Sequence, residues 1–170
     1  MDIVGETLGT KFPGDPDAVR DQHFLYSMER KWESMISLSF ERIMKQLEVF
    51  KLPRVHYVLA IAEGGLVPAS LVALKLKVPM GMIRIRFRDS QNQILFQDPR
   101  LFQKPGIPKG IQSVLIVDDV SVTGKSLALA KSFMAKKCKV KTMVFKGKAD
   151  YVLFPELRPC VMWPWNKLRG

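Results

Sequence analysis

The stretch that most limits what this chain can fold into is VLIVDDVSVTGKSL, residues 114–127. Four apolar residues, Val114, Leu115, Ile116 and Val117, read as a buried strand. Two acids, Asp118 and Asp119, stand at its carboxyl end, and Thr123, Gly124 and Ser126 open a helix. In an open α/β sheet such a junction is an anion site, because the helix offers unpaired N–H groups and the positive end of its dipole. Gly124 lets backbone approach a phosphate, and the hydroxyls of Thr123 and Ser126 can donate to it. The two carboxylates would repel a bare phosphate, so they should face hydroxyls or a metal. An acidic turn closing a strand explains less than this pattern contains. A nucleoside-triphosphate P-loop fails on spacing, since Asp119 stands where its first Gly is needed.

Composition narrows the field. A chain of 170 residues, 47% hydrophobic and 25% charged, is long enough for one domain with a single core. No apolar run approaches a membrane span of about 18 residues, and residues 1–10 lack the regions of a secretory signal, so an intracellular, cytoplasmic protein with no membrane partner is the expectation. Cys138 and Cys160 stand far apart with no His at ligand spacing, and read as reduced thiols, structural or incidental. The net charge of +11 favours anionic partners, but no nucleic-acid module is recognisable, and the lysines between 131 and 148 read as a solvated surface. No nucleic-acid partner is therefore expected.

Residues 1–22, rich in Gly and Pro, read as an N-terminal arm, and 23–170 as a single domain. Apolar residues from Trp32 to Phe50 at three- and four-residue steps predict one amphipathic helix over about 28–50. Pro53 ends it, and VHYVLAIA, residues 55–62, predicts a buried strand. Glu63, Gly64 and Gly65 follow, ahead of an apolar helix, and form a second strand-turn-helix anion site. Residues 80–87 alternate as a strand, with Arg84, Arg86 and Arg88 on one side. That row is either a charged sheet edge or a source of guanidinium forks for phosphate, through Arg86 or Arg88. The polar, proline-rich run of about 88–112 predicts a lid, and RPCVMWPW, residues 158–165, either a cap on the core or an apolar slot for a flat heterocycle.

The central stretch closely resembles the phosphoribosyl-diphosphate (PRPP) binding motif of type I phosphoribosyltransferases. GGLVP at 64–68 and the Pro164-Trp165 pair resemble the xanthine-guanine group of that family. The resemblance implies a three-layer α/β fold with a mainly parallel central sheet flanked by helices, a flexible lid and a C-terminal hood over about 146–170. It implies transfer of the 5-phosphoribosyl group from PRPP to a nucleobase, a 6-oxopurine such as xanthine or hypoxanthine, with release of diphosphate in purine salvage. By the same resemblance Asp118 and Asp119 hold the ribose hydroxyls, and Asp119 also the Mg²⁺ cofactor. Val120, Ser121, Val122, Thr123, Gly124, Lys125 and Ser126 cradle the 5'-phosphate. Glu63, Gly64 and Gly65 line the diphosphate loop, where the family can use a cis peptide, here joining Ala62 and Glu63. Lys146 donates to the 6-oxo group, Val161 and Trp163 form a stacking wall, and backbone near Met162 reads the base edge. A homodimer or higher homo-oligomer is implied too, with the arginine row or the Phe96 to Phe102 region as contact.

Three positions depart from the group. Val122 stands where 6-oxopurine enzymes carry an Asp that handles the base proton, and valine cannot exchange one. Glu63 replaces a basic residue in the diphosphate loop, and Met162 an acid that reads the 2-position. The alternative function is a non-catalytic regulator of the same fold that senses PRPP or a nucleotide.

Overall fold

The computed structural model describes residues 35–87, 96–158 and 160–169. The N-terminal arm, the first part of the helix expected over 28–50, Arg88 and the start of the expected lid lie outside the described residues.

The elements are β1 (Ile36–Ser37), α1 (Phe40–Val49), β2 (Tyr57–Ala62), α2 (Leu66–Leu76), β3 (Met80–Arg86) and β4 (Arg100–Gln103), then β5 (Ser113–Ser121), α3 (Lys125–Ala135), β6 (Lys139–Gly147), β7 (Tyr151–Val152), β8 (Val161–Met162) and a 3₁₀ helix (Pro164–Arg169). A six-stranded sheet runs in the order β4-β3-β2-β5-β6-β7. All its pairings are parallel except that of β3 with β4. This is the three-layer, mainly parallel α/β fold expected.

The apolar runs at 57–62 and 114–117 are continuous because both faces of the sheet are covered. Val58 and Ala60 point into a core with Ile43 and Leu47 of α1 and Ala69 and Val72 of α2. Tyr57, Leu59 and Ile61, one residue out of phase, point to the other face, against Leu127, Ala130 and Met134 of α3.

The helix over 28–50 is corrected at its start. Ile36 and Ser37 are extended and pair in parallel with Val161 and Met162 in a separate two-stranded sheet. Helix α1 begins only at Phe40, where the Ser39 hydroxyl caps it by accepting from Arg42 N at 3.2 Å. Ile36 happens to keep helical spacing with Phe40 and Ile43, so periodicity ran the helix through a strand; Ser39 was the local signal against it. The reading of the arginine row as a sheet edge is also corrected, since β4 pairs along β3 and takes the edge itself. The polar run after β3 is accordingly not wholly irregular.

The ammonium of Lys75, near the end of α2, donates to the carbonyls of Leu47, Glu48 and Phe50 and so closes the carboxyl end of α1. Helix α2 ends at Lys77 with φ 55°, a left-handed conformation that costs a side-chain-bearing residue more than glycine. Lys77→Gly is expected to raise the unfolding free energy by about 0.5–1 kcal/mol, the left-handed cost less glycine's extra chain entropy. Urea denaturation checks it; a loss of stability would mean that the lysine makes a contact outweighing its backbone conformation.

Candidate active site

Because β2, β5 and β6 run parallel, their carboxyl ends meet on one side of the sheet and bring together three separate segments. From β2 come Glu63, Gly64 and Gly65, from β5 the residues from Asp118 to Gly124, and from β6 Lys146.

The Ala62–Glu63 peptide is cis, at the bond expected. Both glycines after it are required by what lies behind them. A β-carbon on Gly64 would come 2.7 Å from Asp119 Oδ1, and one on Gly65 would come 2.5 Å from the Val117 carbonyl and 2.7 Å from that of Ile61. The turn therefore packs its backbone directly on the acid pair. Within the turn Gly65 N donates to the Ile61 carbonyl at 2.8 Å and Leu66 N to that of Glu63 at 3.2 Å, while Pro68 has no N–H to offer.

The acids are held by their own backbone. Asp118 Oδ1 accepts from Asp119 N at 2.9 Å, and Asp119 Oδ1 accepts from Val120 N at 2.7 Å. Burial, and then the charge of Asp119 beside it, hold the Asp118 carboxyl well above the usual carboxylate range. Two such acids are a poor arrangement for an empty fold and a good one for donating hydroxyls or a hard cation. Among the described residues no three His, Cys, Asp or Glu side chains gather as a ready-made cage. A Mg²⁺ held by Asp119 would take most of its ligands from substrate oxygens and water, which is the usual habit of that ion with phosphates.

After Ser121 the chain turns through an exposed Val122, 72% accessible, and Thr123 to Gly124, whose φ of 75° opens α3. The Ser121 hydroxyl is buried and has no hydrogen-bond partner. Thr123 Oγ1 accepts weakly from Lys125 N at 3.5 Å. Lys125 leaves the turn: its ammonium meets Asp98 Oδ1 at 3.0 Å and the Gln97 carbonyl at 3.2 Å, and lies 5.5 Å from the Phe87 ring centroid. The turn thus presents mainly backbone and hydroxyl groups, with its lysine turned to the segment that follows β3.

The arginines sort differently from the sequence reading. Arg84, beside Ala62 in the β2–β3 register, reaches the Glu63-Gly64-Gly65 turn, with Nη2 3.8 Å from Glu63 Oε1 and a buried Nε that has no hydrogen-bond partner. Arg86 instead lies over the Phe102 ring at 5.3 Å. Alternation alone put Arg84, Arg86 and Arg88 on one face; only the register to β2 singles out Arg84.

Lys146 is half-buried at the end of β6, opposite Val120, and the next residue, Gly147, has φ 112° and sits against the Ser121 backbone. Val161 and Met162 are half-buried on β8, and the Met162 carbonyl accepts from Leu38 N at 3.2 Å. Trp163 is corrected. It is 1% exposed, stacks on Trp165 at 5.2 Å and meets Phe145 and Phe154 on other sides. A ring enclosed in this way has no open face for a base and is part of the core. Cys138 is half-buried, and burial pushes its thiol up.

Among solved structures the chain is similar to a purine phosphoribosyltransferase from Pyrococcus horikoshii Ot3, with 23% identity over 78% of this chain and 93% of that one and a TM-score of 0.62. It is similar also to a Helicobacter pylori xanthine-guanine-hypoxanthine phosphoribosyltransferase, at 18% identity, 79% and 96% coverage and a TM-score of 0.61. A hypothetical protein from Neisseria gonorrhoeae with bound ppGpp gives 19% identity, 78% and 89% coverage and a TM-score of 0.57. At these identities the likeness is one of fold. The sequence itself matches the phosphoribosyl transferase domain over residues 40–160, the greater part of its length. An acid pair ending one strand, set against a Gly-Gly turn ending its neighbour, is thus an arrangement that fold and sequence assign together: the chain belongs to the phosphoribosyl transferase domain family, and it is a phosphoribosyltransferase of the type I fold.

Proposed function

We propose that this chain transfers the 5-phosphoribosyl group of PRPP to a 6-oxopurine and releases diphosphate. The observation that carries the reading is the packing of Gly64 directly on the Asp119 carboxylate, which sets a backbone anion turn and a hydroxyl-binding acid pair side by side. In this reading Asp118 and Asp119 accept the two ribose hydroxyls, and N–H groups at the start of α3, with the Ser121 and Thr123 hydroxyls, donate to the 5'-phosphate. Arg84 supplies the guanidinium for the diphosphate that Glu63, standing in a basic residue's place, does not. Mg²⁺, held at Asp119, supplies charge neutralisation of the diphosphate when bound. The C1–O bond to diphosphate breaks as a purine nitrogen bonds C1, and the base proton passes to solvent, since Val122 cannot take it. Lys146 donates to the 6-oxo group, beside Val161 and Met162. The chain mainly positions two partners and surrounds developing charge.

A second reading, a sensor of PRPP or a nucleotide with little chemistry, is favoured by the apolar, exposed Val122 and by the ppGpp held by the Neisseria gonorrhoeae protein of the same fold.

Diphosphate release measured with Mg²⁺ and PRPP across hypoxanthine, xanthine, guanine, adenine, uracil and orotate separates the two. Release with a 6-oxopurine is expected, with Lys146→Met raising KM for the base about 10-fold or more, as for loss of one charged hydrogen bond. Arg84→Gln should act on KM for PRPP instead. Tight PRPP binding without release on any base would establish the sensor, and release only with uracil or orotate would remove the purine assignment.

A further inference from the structure

The same parallel topology that gathers the active site also gathers the amino-terminal ends of β2, β3, β5 and β6 at the other end of the sheet. The segments leading into them are residues 50–56, 77–79, 104–113 and 136–141, and not one contains Asp or Glu. They carry instead Arg54, Lys77, Lys109, Lys136, Lys137 and Lys139 among other cations, and all of these are exposed. Among the described residues none of the six is in an ion pair. Hydrogen bonds join the segments into one edge. Val58 N donates to the Pro79 carbonyl at 3.1 Å, His56 N to the Ser113 carbonyl at 3.2 Å, and Lys139 N to the Gln112 carbonyl at 3.0 Å, while His56 Nδ1 and Ser113 Oγ lie 2.8 Å apart. Three strand spacings give the row a width of about 14 Å. The acids Glu63, Asp118 and Asp119 lie towards the other ends of the strands, about 17–23 Å away over five to seven residues of strand rise. Asp150, which accepts from Thr142 N at 2.9 Å and lies 3.9 Å from Lys131 Nζ, stands further along β6, and Arg84 and Lys146 accompany the acids at the far end; the row itself holds cations and no acid, which a net charge alone does not reveal.

We propose that this amino-terminal edge of the sheet binds the phosphodiester backbone of a nucleic acid, apart from the phosphoribosyl site. A membrane surface would call for apolar side chains to insert beside the cations, and a protein partner for apolar anchors. Among the described residues the exposed large apolar ones, Phe40, Met44, Val49, Leu74, Phe102 and Val122, all stand outside the four segments. A partner bound by charge alone fits, and lysine, a point charge, meets phosphates more than base edges, so binding is sequence-independent. The cations come from four distant segments, so no linear motif announces them.

The test is fluorescence anisotropy of the full chain with labelled 20-nucleotide single-stranded RNA, single-stranded DNA and a 20-base-pair duplex, from 50 to 300 mM KCl. Binding is expected at 50 mM salt, independent of base sequence, with a log Kd against log salt slope of about 2–4 from three or four phosphate contacts. Lys136→Glu/Lys137→Glu/Lys139→Glu should weaken it at least about 10-fold, and should leave PRPP binding and the melting temperature unchanged. If that variant unfolds, the Gln triple replaces it and should lower the slope by about two to three. Preference among the three probes names the source. No binding at 50 mM salt, binding untouched by the triple but lost in Lys125→Glu at the phosphate turn, or tighter binding to anionic lipid vesicles than to every nucleic acid would each overturn the proposal. Diphosphate release assayed in the same preparation keeps this failure separate from failure of the transferase reading.

Discussion

Asp118→Asn is expected to stabilise the unliganded protein at neutral pH while removing its activity. The sign follows from the direction of the shift. Burial and Asp119 hold the Asp118 carboxyl above the usual range, so the folded state prefers the protonated form. Below the unfolded value of about 4 the group is neutral in both states and contributes nothing. As pH rises above that value, ionisation favours the unfolded chain, and the folded state loses stability until pH passes the raised folded value. Asparagine keeps the oxygen that accepts from Asp119 N and removes the charge. Thermal melts should show the variant a few degrees above the wild type near pH 7.5 and level with it near pH 4. Diphosphate release should meanwhile fall about 10²–10³-fold, the usual effect of removing one positioned polar contact to a transition state. Asp119→Asn should lose activity to a similar degree and weaken the dependence on Mg²⁺. A melting temperature unchanged or lowered at pH 7.5 would mean that a partner compensates the Asp118 charge in the resting protein. Wild-type turnover in both variants would sink the acid pair as the ribose site.

Gly147→Ala should be the most damaging of the single methyl additions. With φ at 112° this position lies outside what side-chain-bearing residues adopt, at a cost of about 1–3 kcal/mol. A β-carbon there would also overlap the Ser121 carbonyl, and forcing the two apart costs about 1–3 kcal/mol more. The loss should come to about 2–6 kcal/mol in urea denaturation. It should also reach the site, because relief requires separating β5 from β6 where Ser121 opposes Gly147 and Lys148 N donates to the Ser121 carbonyl at 3.1 Å. That movement shifts Lys146 and the phosphate turn together, so KM for both base and PRPP should rise. A stability loss below about 1 kcal/mol would show that the β5–β6 junction adapts.

The strand at 114–117, the acid pair, the Gly124 turn and the Glu63-Gly64-Gly65 turn could be placed from the sequence alone. Each is decided by neighbours in the chain: a continuous apolar run means burial on both faces, and hydroxyl and glycine residues after a strand mean a helix start. The three-layer order followed, because parallel strands need covering helices. What the chain could not decide locally was pairing between distant segments. Ile36 keeps a helical spacing, and only Val161, far along the chain, makes it a strand. The arginine row has a period of two whichever strand lies beside it, so Arg84 as the partner of Glu63, and β4 in place of an open edge, depended on register. Trp163 and Trp165 looked available to a flat ligand until packing against Phe145 enclosed them. Charge shows the same division. Its total is a sum over residues and is legible in the sequence. The gathering of four acid-free, cationic segments into one edge arises only when four parallel strands align, because Coulomb interactions depend on distance in space and not along the chain.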